Sequence, residues 1–231
     1  MLDRLRTLSY IGACVAVAGC HHAPAPLVPL GLPPVARDSA LAWTLTLVPA
    51  HRTAIRFRWR YRDDRQSAAG RGQARIAPPD SLRFDWVATL GLASGAAVMV
   101  GDSVLWADPE ESFRSLVPAI PMLWASLGTV RPPAAEASVS GRADPPRALW
   151  RFVRGADTLT YVVTAGAPQV LEAEWRQAGK MVARSRTVYD AAARPASARV
   201  DFSEGSARFE FTVVAVDTAV VIAPALWRSR R

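Results

Sequence analysis

Apolar and polar residues alternate one by one over much of this chain. The clearest run sets Ile55, Phe57, Trp59 and Tyr61 between Arg56, Arg58, Arg60 and Arg62. A period of two sends successive side chains to opposite faces, so this segment predicts a β-strand with one apolar and one strongly basic face. The period returns at Leu82, Phe84, Trp86 and Ala88 against Arg83 and Asp85, and at Trp150 and Phe152 against Arg151 and Val153. It continues at Leu171, Ala173 and Trp175 against Glu172, Glu174 and Arg176, at Val200 and Phe202 against Arg199 and Asp201, and at Phe209, Phe211 and Val213 against Arg208, Glu210 and Thr212. Turn-forming clusters fall between the runs: Ser67 to Gly72, Pro78-Pro79-Asp80, Gly101-Asp102, Gly155 to Asp157, Gly166 to Pro168, Gly179-Lys180 and Glu204-Gly205. About ten or eleven strands joined by short connections account for this spacing. The expected class is mainly β (α+β), with an antiparallel, meandering sheet that has one apolar face.

An apolar face needs a cover, and mid-chain the period changes from two to that of a helix. Asp108 is placed to cap a helix that has Pro109 at its first position and Glu111 at its third. After Pro118, a second helix sets Ile120, Leu123, Trp124 and Leu127 on one stripe, and Gly128 stops it. Near the start, Leu41, Leu45 and Val48 fit a short helix behind Asp38 or Ser39, while Trp43, Leu45 and Leu47 also fit a strand; helix is the preferred reading. Thr129 to Pro146, rich in Pro, Ala, Ser and Gly, reads as a loop between two halves of the sheet.

The first nineteen residues have a different character. Arg4 and Arg6 precede an apolar stretch from Leu8 to Ala18, as in a secretory signal peptide. The stretch is shorter than the roughly 20 apolar residues that a spanning helix needs. It ends in Val17-Ala18-Gly19-Cys20, which resembles the lipobox of bacterial lipoproteins and makes Cys20 the expected lipid anchor, carrying palmitate-type acyl chains. Cys14 lies in the segment that would be removed, so the mature chain forms no internal disulfide. The organisation expected is a signal peptide over 1–19, an acylated cysteine with a proline-rich linker over 20–37, and one domain over 38–231. About 210 mature residues, with half of the chain hydrophobic, suffice for a real core.

There are 28 Lys plus Arg against 20 Asp plus Glu, a net charge of +8 that is almost all arginine. Two readings stay open: compositional bias toward arginine, or attraction to anionic lipid head groups or acidic partners. Nucleic acid does not suit an exported lipoprotein. His21 and His22 lack a partner cluster, so no metal site is assigned and no cofactor is expected.

The order of elements, together with Gly70-Arg71-Gly72, Pro79-Asp80-Ser81-Leu82-Arg83-Phe84-Asp85, Leu90-Gly91 and Tyr189-Asp190, resembles the LolA/LolB-like superfamily of lipoprotein carriers and receptors, most closely its receptor-type members. The likeness runs from about Asp38 to Pro224. It implies a curved antiparallel half-barrel covered by short lid helices, enclosing an apolar cavity for acyl chains. By this resemblance Phe57, Trp59, Phe84, Trp86, Trp150, Phe152 and Trp175 line the cavity, and Ile120, Leu123 and Trp124 belong to the lid. The same aromatics also fit a dry core, and both readings stand. Leu90 and Leu92 occupy the loop that receptor-type members press into the membrane. The arginine that holds the carrier-type lid shut is not assignable, because Arg56, Arg58 and Arg60 compete for it.

Enzymatic chemistry finds little support. Only His51 lies in the domain, no serine sits in a nucleophile elbow, and no Gly-rich phosphate loop follows a strand. Asp63-Asp64, Asp108 and Glu110-Glu111 sit where turns or helix starts explain them. The sequence therefore predicts a non-enzymatic, monomeric lipoprotein, held at the outer membrane through Cys20 and facing the periplasm. It would bind acyl chains of lipids or lipoproteins, with a periplasmic carrier protein as its supplier. The alternative is an assembly lipoprotein that uses the half-barrel as a protein-docking surface.

Overall fold

A computed structural model describes residues 25–28, 31–91, 93–203 and 206–228. Cys20 and the stretch before it, His21, His22, Leu92 and the Glu204-Gly205 turn lie outside the described residues. Helix α1 (Arg37–Leu45) precedes strands β1 (Thr53–Arg62), β2 (Ser67–Ala77), β3 (Ser81–Ala88), β4 (Ser94–Val100) and β5 (Ser103–Asp108). Helices α2 (Glu110–Leu116) and α3 (Ile120–Ser126) come next. The chain continues through β6 (Ser138–Asp144), β7 (Arg147–Arg154), β8 (Asp157–Thr164), β9 (Val170–Gln177), β10 (Lys180–Tyr189), β11 (Pro195–Phe202) and β12 (Arg208–Thr218).

All twelve strands form one antiparallel sheet, in the order β5-β4-β3-β2-β1-β12-β11-β10-β9-β8-β7-β6. It is two meanders joined where the last strand, β12, pairs with the first. The ends β5 and β6 do not meet, so the sheet is a curved half-barrel, and the chain from 109 to 137 crosses its inner face from one edge to the other. No helix among the described residues is long and apolar enough to cross a membrane.

Two strands depart from the expected pattern. Ser67 to Gly72 is the first half of β2 rather than a turn, and β6 lies inside the segment read as a loop. In β2 the reason is the size of what faces it. Ala68, Gly70, Gly72 and Ala74 stand opposite Tyr61, Trp59, Phe57 and Ile55 of β1, and Gly72 also stands opposite Trp86 of β3. A Cβ on Gly72 would come within 2.5 Å of the Phe57 ring and 2.8 Å of the Asp85 carbonyl oxygen. Gly95 faces Trp86 and Gly141 faces Trp150 in the same way. These glycines make room for rings laid across neighbouring strands, which lets a strongly curved sheet carry large aromatics on its inner face.

The helices start without the expected side-chain caps. The residue before α1 is Ala36 and that before α2 is Pro109; Asp108 ends β5, and Asp38 sits in the first turn of α1, where its charge suits the helix dipole. Helix α3 ends as expected at Gly128, whose φ of +77° favours glycine.

Both tails of the domain lie on the outer face. Residues 25–28 of the segment read as a proline-rich linker are docked there: Val28 is buried against Leu149 and Val162, and Arg184 and Arg151 donate to the carbonyls of Ala25 and Val28 at 2.7 and 3.2 Å. The Leu27 N–H donates to Glu174, which is 2% exposed and pairs with both Arg176, at 2.6 Å, and Arg184. Burial alone would raise the Glu174 pKa, but hydrogen bonds from the two arginines outweigh it and hold the carboxyl below its ordinary value. At the other flank, the turn Pro224–Trp227 covers β3 and β5: Arg83 donates to the Leu226 carbonyl and stacks over Trp106, whose indole N–H reaches the Trp227 carbonyl at 3.1 Å.

Candidate functional site

The inner face of the half-barrel collects most of the rings. Phe57, Trp59, Phe84, Trp86, Trp150 and Phe152 are all buried there, and Trp175 is half-buried at the margin, its indole N–H 3.4 Å from Asp157. Phe57 stacks on Phe84 at 5.4 Å and meets Phe211 edge-on at 4.9 Å, and Trp43 of α1 stacks on Trp150 at 5.3 Å. Phe113 of α2 reaches Phe84 and Trp86, so α2 covers the first meander. Helix α3 covers β9, β10 and β11, with Leu123 and Trp124 buried and Ile120 half-buried. Each of these large side chains, fully removed from water, contributes about 1.5–3 kcal/mol.

Polar contacts pin α3 to both halves of the sheet. The Trp124 indole N–H donates to the Gly101 carbonyl in the β4–β5 turn at 2.9 Å. From the opposite side, the Thr187 and Tyr189 hydroxyls donate to the carbonyls of Ala125 and Gly128, both at 2.8 Å. Burial pushes the Tyr189 and Tyr161 hydroxyls well above the ordinary tyrosine range, so both remain protonated hydrogen-bonding groups. Just beyond α3, Arg131 is buried to 7% exposure, stacks on Trp124 at 5.2 Å, pairs with Asp102 at 3.3 Å, and gives its backbone N–H to the Tyr161 oxygen. This arginine ties the helical crossing to both meanders, and sequence reasoning missed it. Its only signal was a lone cation closing the uncharged run from Ser115 to Val130. Arg56, Arg58 and Arg60, the three considered for such a role, point to the outer face, away from the helices.

An open cleft of about 460 Å³ lies at the α1 end of the inner face. Trp43 and Leu47 form one wall, Ile55 and Val216 the sheet side, and Leu127 and Tyr189 the floor beneath α3. The buried Thr129 hydroxyl borders it and has no hydrogen-bond partner among the described residues. None of the seven aromatics expected to line a cavity borders this cleft; they are packed beside it, between the sheet and the helices. The cleft draws on residues more than 170 positions apart, from Trp43 to Thr218, which no local pattern joins.

Two turn carboxylates, Asp63 and Asp190, are occupied with structure. Asp63 accepts from the backbone N–H groups of Arg65 and Gln66 at 2.8 and 2.7 Å and from the Tyr61 hydroxyl at 2.9 Å, which closes the β1–β2 turn and lowers its pKa, chiefly through the Arg65 contact. Burial and this bond push Tyr61 up to about 12. Asp190 caps the β10–β11 turn in the same fashion, held low mainly by the Arg194 N–H. His51 is exposed, and no group of three or more His, Cys, Asp or Glu suited to a metal occurs among the described residues. Leu90 occupies the turn Thr89–Gly91 between β3 and β4, beside Leu92, which is not among the described residues.

No family model matches the chain, and no curated protein matches it in sequence. Solved structures do match in fold. One is a LolA superfamily protein from Nitrosomonas europaea, with a TM-score of 0.51, 11% identity, and coverage of 84% of this chain and 98% of that one. Another is a domain described as an outer membrane lipoprotein-sorting protein from Vibrio parahaemolyticus, with a TM-score of 0.53, 6% identity, and coverage of 82% and 97%. At such identities the likeness concerns architecture alone. An unclosed antiparallel sheet, curved around helices that cross from one edge to the other, is the LolA-type fold, and this chain has it.

Proposed function

We propose that this chain is an exported lipoprotein that takes up an acyl chain of a lipid or lipoprotein in the cleft at the α1 end of its half-barrel. The cleft carries the reading. Its volume of about 460 Å³ lies within the range of small-molecule sites, roughly 300–1,000 Å³, and its walls are mainly apolar. An acyl tail gains about 0.8 kcal/mol for each CH₂ buried and asks for little geometric precision. The packed rings next to the cleft continue its apolar surface under α2 and α3. The solved structures of similar fold include a domain described as an outer membrane lipoprotein-sorting protein, in keeping with work in the cell envelope. In this reading acylated Cys20 anchors the chain in the outer membrane, the domain faces the periplasm, a carrier delivers the cargo, and the Leu90–Leu92 loop touches the bilayer during transfer.

The test uses the chain from residue 20 with Cys20→Ala, which retains every described residue. Mass spectrometry after gentle purification is expected to find one acyl-bearing lipid per chain, and a fluorescent fatty acid is expected to bind with the same stoichiometry. Leu47→Trp, which fills the cleft, should reduce that uptake at least tenfold. Neither bound lipid nor uptake would sink the reading. The packing of the central aromatics favours a second reading, in which the half-barrel is a protein-docking surface. That reading expects no acyl uptake and equal behaviour of the parent and the Leu47→Trp variant.

A further inference from the structure

The two tails leave part of the outer face bare. The segment 25–28 lies over β7 to β10 and the turn Pro224–Trp227 over β3 and β5; between them Ala54 at the start of β1 is buried, while the half that carries Arg58, Arg60, Arg71 and Thr212 is exposed. A groove of about 760 Å³ runs there, bordered by Arg58 and Arg60 of β1, Arg71 of β2, and Val87, Glu210 and Thr212. All three arginines are exposed, and none makes an ion pair among the described residues. Arg58 and Arg71 stand directly opposite one another in register, an arrangement of like charges that disfavours the sheet. Arg75 and Arg83, further along β2 and β3, are opposed in the same way, but Asp85 accepts from both, at 2.6 and 2.7 Å. The fold thus supplies a carboxylate to one arginine pair and leaves the other open to solvent. Val214, 60% exposed, adds an apolar residue at the edge of the same groove system.

The position of the N-terminal segment gives this surface a direction. Ala25 is held on the outer face by Arg184, and it lies five residue steps from Cys20. Five residues span at most about 18 Å fully extended. An acyl anchor at Cys20 therefore brings the outer face, not the helices, to the membrane.

We propose that the outer face docks on an anionic phospholipid bilayer, with Arg58, Arg60 and Arg71 receiving lipid phosphates in the groove between the two tails. Guanidinium groups suit this role because their planar fork bonds a phosphate through two donors at once. The inner face, with its cleft and helices, then looks away from the bilayer toward the aqueous phase, where a carrier has access to it. The orientation borrows the anchoring of Cys20 from the reading above; the groove's affinity for the bilayer does not depend on acyl uptake.

Co-sedimentation with vesicles tests this, using the same chain with Cys20→Ala, which has no acyl group. The expected result at low salt is binding to vesicles of equal phosphatidylglycerol and phosphatidylcholine and none to pure phosphatidylcholine. The groove variant Arg58→Ser/Arg60→Ser/Arg71→Ser should bind about a hundredfold more weakly, on the order of fivefold for each arginine. Arg52→Ser/Arg114→Ser/Arg154→Ser, with the same change in charge at exposed sites elsewhere, should bind like the parent. Arg58→Lys/Arg71→Lys, which keeps the charge, should retain most of the affinity and guards against a folding defect in the serine variant. Equal loss in both serine variants would assign the effect to net charge and overturn the proposal. Undiminished binding by the groove variant would overturn it too, as would binding of inorganic phosphate by these arginines without binding of vesicles. Because no fatty acid is present, a negative result here and a negative result for acyl uptake are separate outcomes.

Discussion

Ile55, Phe57, Trp59 and Tyr61 leave β1 on one side and meet rings, glycines and helices. Arg56, Arg58, Arg60 and Arg62 leave it on the other; among the described residues only Arg56 makes an ion pair, with Asp217 at 3.6 Å, and Arg60 stands in register with Glu210. One backbone thus carries a face whose partners are fixed by shape and a face left available. The inner side is made specific by volume: Phe57, Trp59, Phe84 and Trp86 each have a glycine or an alanine across the strand boundary. The outer side is divided by charge into flanks that are covered and neutralised and a stretch around Arg58 and Arg71 that is neither. The difference locates the stability of the domain on one face and its capacity for new electrostatic contacts on the other.

That division predicts an ordered series of effects. Phe84→Ala removes a fully buried ring from between Phe57, Trp86 and Phe113 and should cost about 4 kcal/mol in denaturant unfolding. A loss below 1 kcal/mol would mean the inner face is not the packed core described. Glu174→Gln removes the buried charge that Arg176 and Arg184 share and should cost about 3 kcal/mol, and hydrogen exchange should show the Ala25–Val28 segment released. The same carboxylate makes the fold sensitive to acid. Its folded pKa lies below its ordinary value of 4.5, so its stabilisation is complete above that pH and is lost as the pH falls through the folded value. Glu174→Gln should flatten this part of the acid unfolding curve. Gly72→Ala, a single added methyl group, should cost about 2 kcal/mol because the fully buried Phe57 ring has nowhere to move. Arg71→Ser should change stability by less than about 0.5 kcal/mol, since it removes a repulsion and no ion pair. A large loss there would show that Arg71 holds the sheet together and would erase the contrast between the faces.

How much of this was legible beforehand depends on what each element faces. β1 and β3 were plain because they alternate large apolar and charged residues without interruption. β2 was obscured by the very feature that fits it to them. Its glycines accept aromatic rings, yet Ser-Ala-Ala-Gly-Arg-Gly is also the vocabulary of turns. β6 is an edge strand, largely exposed, and its composition carries little alternation to read. The missing helix caps show a preference overridden by tertiary packing: Asp108 is drawn into β5, and Pro109, which has no polar side-chain atom, is left at the capping position of α2. Within the site, the burial of six of the seven aromatics and the place of the second helix followed from pattern and resemblance. The cleft did not, because α1, the end of α3 and strands from both meanders build it jointly. Arg131 stayed hidden because its partners, Asp102 and Tyr161, lie about thirty positions away on either side.

The crossing from β5 to β6 places a mechanical condition on whatever occupies the inner face. Its two ends continue directly into the two edges of the sheet, and its middle is fastened by Trp124, Arg131, Thr187 and Tyr189. A flap hinged at one end could swing aside at little cost, but this segment is strung between the tips of a bent sheet as a string is strung on a bow. Room beneath it arises in two ways, by releasing the four fastenings or by changing how far the sheet is bent. While the fastenings hold, the curvature of the strands and the space under the helices are one variable, and a ligand that enlarges the cleft must draw the edges β5 and β6 along with it.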